Sequence, residues 1–154
     1  MKVYLDNCCY NRPYDDQSQL RISLETQAKL QIQSMIRNKD IELASSYVLM
    51  YENSRNPHVS RQATIHDFVK ENVSTYIDYD CEAEVKKMAD EIITTGIKAM
   101  DAHHVACAIL SESDYFLTTD DRLLKYSTDK LHLMDPTEFI SEWEVSQNDD
   151  NNEY

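Results

Sequence analysis

Ala99-Met-Asp-Ala-His-His-Val-Ala-Cys-Ala-Ile109 and, shortly after it, Tyr115-Phe-Leu-Thr-Thr-Asp120 decide how this chain is read. Ala102, Val105, Ala106, Ile109 and Leu110 recur at helical spacing. Tyr115 to Thr119 is a short β-branched and aromatic run of strand length. The same stretch sets carboxylates at the junctions: Asp101 where the apolar helix begins, Asp120 where the strand ends. A third, Asp6, closes the opening run Met1-Lys-Val-Tyr-Leu5. Acidic side chains at strand and helix ends can converge on a divalent cation.

Working outward, Lys2 to Leu5 reads as a buried first strand, and the polar, Pro-containing stretch Asn7 to Ser18 ends regular structure. Leu24, Ala28, Ile32, Met35 and Ile36 predict a long amphipathic helix, and Ile41 to Ser46 a second strand. Tyr47 to Arg55 reads as a helix that stops before Pro57, because the residue preceding proline avoids the α region. Val59, Ala63, Phe68 and Val69 suggest a further helix, and the alternation of Val73, Thr75, Ile77 and Tyr79 a strand. Val85, Met88, Ala89, Ile92 and Ile93 form a helical stripe ending at Gly96, the only glycine, which can take positive φ at a helix end. Asp121 to Tyr126 reads as a short helix, Leu131 to Met134 as a last strand, and Pro136 opens a closing helix through Trp143. Strands alternating with helices predict one three-layer α/β domain, its mainly parallel sheet flanked by helices. The domain is placed at residues 1–145, with 146–154 as an acidic, disordered tail lacking apolar periodicity.

Composition narrows the function. With 28 acidic against 15 basic residues among 154, the net charge of −13 argues against a broad basic face that neutralises phosphates. It leaves open an enzyme that meets phosphates through bound cations, which invert the local charge. No run approaches the roughly 20 apolar residues of a membrane span, and no signal peptide is visible. Cys8, Cys9, Cys81 and Cys107 make no zinc spacing, so reduced thiols in a cytoplasmic protein are expected. A single glycine excludes a Gly-rich dinucleotide loop.

In an open parallel sheet, ligands bind beyond the carboxyl ends of the strands. Asp6 and Asp120 each follow a strand directly, and Asp101 opens the helix leading into the strand before Asp120. Glu52 falls on or beside the apolar face of its helix, where an unpaired charge would be costly. Each residue also has a plain structural explanation. Asp101 and Asp120 are placed to cap helices, Glu52 to pair with Arg55, and Asp6 to start a turn. Four caps and turns have no reason to share one sheet edge, which favours a site. His103 and His104 are read as packing residues. Cys8 fails as a phosphatase nucleophile, because Tyr14 stands where an arginine of the phosphate loop would be needed.

Taken in order, Val-Tyr-Leu-Asp6, Glu52 within Val-Leu-Met-Tyr-Glu-Asn, Asp101-Ala-His-His-Val-Ala and Phe-Leu-Thr-Thr-Asp120 resemble a PIN-domain ribonuclease, the family that includes VapC-like toxins. The resemblance spans Lys2 to about Trp143. It implies a Mg²⁺- or Mn²⁺-dependent endoribonuclease with Asp6, Glu52, Asp101 and Asp120 as catalytic and metal-binding acids. Glu42 and Glu71 compete with Glu52 for that place. The resemblance further implies Thr119 as the hydroxyl beside the last acid, with Thr118 a lesser candidate, and Asp121 as a spare carboxylate. Arg12 is a candidate contact for a substrate phosphate. The implied partners are RNA and an antitoxin protein, and the polar stretch before the first long helix offers a surface for a homodimer or a lid. Cys8 and Cys9 depart from the small or hydroxyl residues that many members carry after the first Asp. Two other readings stand beside this one. A catalytically inactive PIN-like domain would bind RNA or protein without cutting. A phosphatase using Asp6 as nucleophile would want a second Asp where Cys8 stands.

Overall fold

The computed structural model describes residues 1–151. The chain runs β1 (Lys2–Leu5), α1 (Asn7–Asn11), a 3₁₀ turn (Arg12–Tyr14), α2 (Leu20–Arg37), β2 (Glu42–Ser46), α3 (Tyr47–Ser54) and α4 (Val59–Asn72). It continues through β3 (Val73–Ile77), a second 3₁₀ turn (Tyr79–Cys81), α5 (Glu82–Ile93), α6 (Ala99–Leu110), β4 (Tyr115–Leu117), α7 (Asp121–Leu124), β5 (His132–Met134) and α8 (Pro136–Asn151). The sheet order is β3-β2-β1-β4-β5, and every pairing in it is parallel.

Side chains alternate across a strand, and this sheet buries both faces. Val3 and Leu5 pack with Ile32 of α2, Phe68 of α4, Leu117 of β4 and Phe139 of α8. Tyr4, between them, faces the other way onto Val85 and Ala89 of α5, Val105 of α6 and Phe116 of β4. Val3, Tyr4 and Leu5 are each at most 1% exposed. Helix α3 sends Leu49 into the first layer and Val48 into the second, so it straddles the carboxyl edge of the sheet. Gly96 does adopt a left-handed backbone, φ 99°, just beyond the end of α5.

Two segments depart from the sequence reading. The polar stretch after Asp6 is not irregular: α1 and a 3₁₀ turn occupy Asn7–Tyr14. Cys9 and Tyr10 are buried in the first layer, and that tertiary contact holds a helix too short to persist alone. Helix α8 also continues past Trp143 to Asn151, through residues that are exposed from 144 to 150, because extending a formed helix is easier than starting one. The expected tail is therefore helical over 146–151, and its last three residues lie outside the described ones. Among the described residues no helix is long and apolar enough to cross a membrane. The four cysteines are free thiols.

Candidate metal centre

The chain winds outward from β1 through β2 to β3, then returns to lay β4 on the other side of β1. The carboxyl ends of β1 and β4 therefore flank the switch point of the sheet, where α/β folds place ligands. Asp6 follows β1, and its backbone N–H donates to Leu117 of β4 at 3.0 Å. Its Oδ1 accepts from the Asn7 N–H at 2.8 Å and so caps α1. Its Oδ2 accepts from the Thr118 hydroxyl at 2.9 Å and the Cys8 thiol at 3.4 Å. Thr118 Oγ1 in turn accepts from the Asp120 N–H at 3.1 Å, and Asp120 Oδ1 accepts from Arg122 N–H at 2.9 Å, capping α7. Thr118, rather than Thr119, is thus the hydroxyl that touches an acidic side chain of the site. Thr119 instead offers its backbone N–H to Cys8 Sγ at 3.4 Å. Consecutive side chains leaving a strand point to opposite sides, which decides between the two.

Glu52 reaches the same edge from α3 and accepts from His104 Nε2 at 3.0 Å. An ionised carboxylate only accepts, so Nε2 carries a proton. With the imidazole neutral, Nδ1 accepts from the Tyr4 hydroxyl at 2.8 Å, and that hydroxyl accepts from Ser46 Oγ at 2.6 Å. Ser46 also caps α3 through the Leu49 N–H. Tyr4 is stacked on Phe116, with ring centroids 5.4 Å apart. Glu52 therefore hangs from a buried chain of hydrogen bonds. Burial alone would lower the pKa of His104, but its bond to Glu52 and the charges of Asp6, Glu52 and Asp101 hold it above the usual value. One ligand atom each from Asp6, Glu52 and His104 lie within 4.8 Å of one another. Both His104 nitrogens are already engaged, so His104 holds Glu52 in place rather than facing an ion. Arg55, the expected partner of Glu52, donates instead to the Tyr51 hydroxyl.

Asp101 is the third residue of α6, behind an N-cap at Lys98, and makes no capping bond. Its carboxyl is pushed up to about 6 by burial and by the charges of Asp6, Asp120 and Glu52, with His104 opposing. Asp6, Glu52, Asp101 and Asp120 line one open cleft of about 340 Å³ together with Asn7, Cys8, Asn11 and Asp15. Glu42 opens β2 at the opposite edge of the sheet, and Glu71 is exposed near the end of α4; neither lines the cleft. Asp15 and the two asparagines went unnoticed in the sequence because they sit in a polar stretch without periodicity. His104 did leave a signal, standing three residues after Asp101 on the same side of a helix.

The remaining candidates are tied to α2. Arg12 donates through Nε and Nη2 to Glu25 at 3.1 and 2.9 Å, and through Nη1 to Asp15 at 3.0 Å. Arg21 grips Asp121 at 2.9 and 2.7 Å and the Thr119 carbonyl at 3.1 Å, clamping the corner between β4 and α7. Glu25 is 2% exposed, and its Oε2 has no hydrogen-bond donor. Burial and the neighbouring Asp135 carboxyl push it up to about 7, against the pull of Arg12. The folded state thus binds this proton more tightly than the unfolded chain does. Its stabilising contribution is complete below about pH 4.5 and is lost as pH rises through about 7. Urea melts between pH 5 and 8 should show this decline in wild type, and Glu25→Gln should flatten it.

No family model and no curated protein matches this chain. Solved structures do. A chain of VapBC2 from Rickettsia felis, in a complex bound to a DNA fragment from its promoter, is 15% identical with a TM-score of 0.53, over 88% of this chain and 98% of that one. A chain of FitAcB from Neisseria gonorrhoeae is 16% identical with a TM-score of 0.51, over 87% and 97%. Nearly full-length superposition, a five-stranded parallel sheet and an acidic cleft at its switch point agree, and the chain has the PIN-domain fold.

Proposed function

We propose that this protein is a divalent-metal-dependent endoribonuclease, with Asp6, Glu52, Asp101 and Asp120 holding Mg²⁺ or Mn²⁺. The observation that supports this reading is the meeting of four carboxylates, drawn from four separate segments, in one cleft. Carboxylate oxygens are the donors these hard cations prefer, and the raised Asp101 carboxyl registers a crowding of negative charge that a cation relieves. When bound, such an ion acidifies water and offsets charge on a phosphodiester.

The chain's own residues supply the positioning. Thr118 and the Asn7 N–H hold the two oxygens of Asp6, and His104 holds Glu52. The Arg21–Asp121 clamp steadies the loop carrying Thr119 and Asp120. Arg12 contacts a substrate phosphate only by giving up Asp15, its partner at the rim of the cleft. The fold shared with the VapBC2 and FitAcB chains supports a role as the toxin of a toxin–antitoxin pair, with the nuclease domain spanning 1–145.

Millimolar Mn²⁺ or Mg²⁺ should raise the melting temperature relative to EDTA and switch on cleavage of single-stranded RNA. At a hundred times Kd, binding stabilises by about 2.7 kcal/mol, or about 5–10 °C for a chain of this size. Absence of any shift, with cleavage unaffected by EDTA, would refute the proposal.

A further inference from the structure

Beside the acidic cleft lies a second, larger groove of about 630 Å³, walled by Tyr47, Met50 and Tyr51 of α3, Tyr79, and Met100 and His103 of α6. We propose that this groove is a stacking subsite for an unpaired RNA base adjoining the phosphate held in the acidic cleft. The inference rests on the ribonuclease reading for the identity of the polymer, and extends it to how the substrate is gripped.

Three observations point to a base. The first is the lining. Tyr51 and Tyr79 are 52% and 61% exposed, and Tyr47 meets Tyr79 edge-on at 86°, giving a wall and a floor of perpendicular rings. Flat aromatic surfaces beside flexible thioethers suit a planar, polarisable ligand. The second is continuity. Tyr51 precedes Glu52, and Met100 precedes Asp101, so α3 and α6 each contribute to both groove and cleft. On the ribonuclease reading, the nucleotide next to the one held among the carboxylates is therefore the candidate occupant of the groove.

The third is charge. Arg12 and Arg21 are neutralised by carboxylates, whereas Arg55 pairs with none among the described residues. Its guanidinium lies 5.8 Å from the centre of the Tyr51 ring, and Nη1 donates to the Tyr51 hydroxyl at 3.0 Å. A cation is thus held at the rim of an aromatic groove on a chain of net charge −13. With 28 acidic residues against 15 basic ones, phosphate neutralisation by side chains is weak outside the proposed metal site, and stacking adds affinity that does not depend on charge.

The test measures binding of a fluorescein-labelled single-stranded RNA octamer by anisotropy in Mn²⁺. The full chain carries Asp101→Asn so that no cleavage intervenes. Adding Tyr51→Ala or Tyr79→Ala should weaken binding roughly 5- to 100-fold, the range of one base–aromatic stack. Tyr51→Phe and Tyr79→Phe, which keep the ring, should stay within twofold. An octamer with a series of abasic positions should lose the difference between Tyr and Ala at one of them. Both rings are largely exposed, so the variants should fold, and circular dichroism checks that they do. Equal affinity of the Ala and Phe variants would overturn the proposal. So would a change from dimer to monomer in sedimentation with RNA affinity intact, which would make the groove an interface between copies. Cleavage by the Asp101-containing protein is scored separately. If RNA is cut but the tyrosines do not matter, the groove fails and the nuclease stands. If tyrosine-dependent binding occurs without cutting, the nuclease fails and the groove stands.

Discussion

Asp101→Asn should reduce metal-dependent RNA cleavage by roughly a thousandfold or more, the effect of losing several kcal/mol of electrostatic stabilisation at a transferring phosphate. The same substitution should make the metal-free protein more stable. Asp101 is crowded by Asp6, Asp120 and Glu52, and its raised pKa shows that ionising it in the fold is unfavourable. Asparagine keeps the shape and removes the charge. The stabilisation should be clearest above pH 6, where the wild-type carboxyl is ionised, should shrink as pH falls from 6, and should vanish only below the unfolded value of 3.8, where the carboxyl is protonated in both folded and unfolded chains. Thermal melts in EDTA at pH 5 and 8, with cleavage assays in Mn²⁺, measure both effects. A variant that is inactive and also unstable in EDTA would point to a structural role for Asp101. A variant that cuts RNA normally would remove it from the catalytic set.

His104→Ala should have the largest effect on folding among the residues around the site. The imidazole is 1% exposed and holds Glu52 on one side and Tyr4 on the other. Truncation strands the buried Tyr4 hydroxyl, which keeps only Ser46, and empties a volume between β1, α3 and α6. The expected cost is about 3 kcal/mol, combining a buried orphan group with a cavity. For a chain of this length that lowers Tm by about 6–12 °C. Because Glu52 also loses its support, Mn²⁺ affinity should fall about 10- to 100-fold, the usual cost of deleting a group that orients a ligand. Tyr4→Phe breaks the same chain one link further out and should cost about 1 kcal/mol with little change in Mn²⁺ affinity. Titration calorimetry on both variants separates the two effects. Equal metal affinity in wild type and His104→Ala would show that Glu52 needs no such support.

The order of strands and helices was legible because periodicity is a local property. Val85 to Ile93 and Ala102 to Leu110 declare helices by spacing alone, and the short apolar runs at Lys2–Leu5 and Tyr115–Leu117 declare strands. The acids Asp6, Glu52, Asp101 and Asp120 stood out for a related reason: each lies at an element end or on a helix face where a charge needs a partner. Helix α1 was not legible, since Cys9 and Tyr10 earn their helical conformation from burial against distant strands. Nor was the choice between Thr118 and Thr119, which depends on the side from which the chain leaves β4.

Sequence by itself, then, determined an alternating α/β chain and a set of carboxylates at its junctions, because helical and strand spacing and capping chemistry act over a few residues. Tertiary structure alone decided that β4 returns to lie beside β1, which brings Asp6 and Asp120 to one edge. It alone turned His104 from a packing residue into the support of Glu52, and occupied Arg12 with Glu25 and Asp15. Such pairings depend on distances between segments as much as 112 residues apart, and these exist only once the sheet has chosen its order.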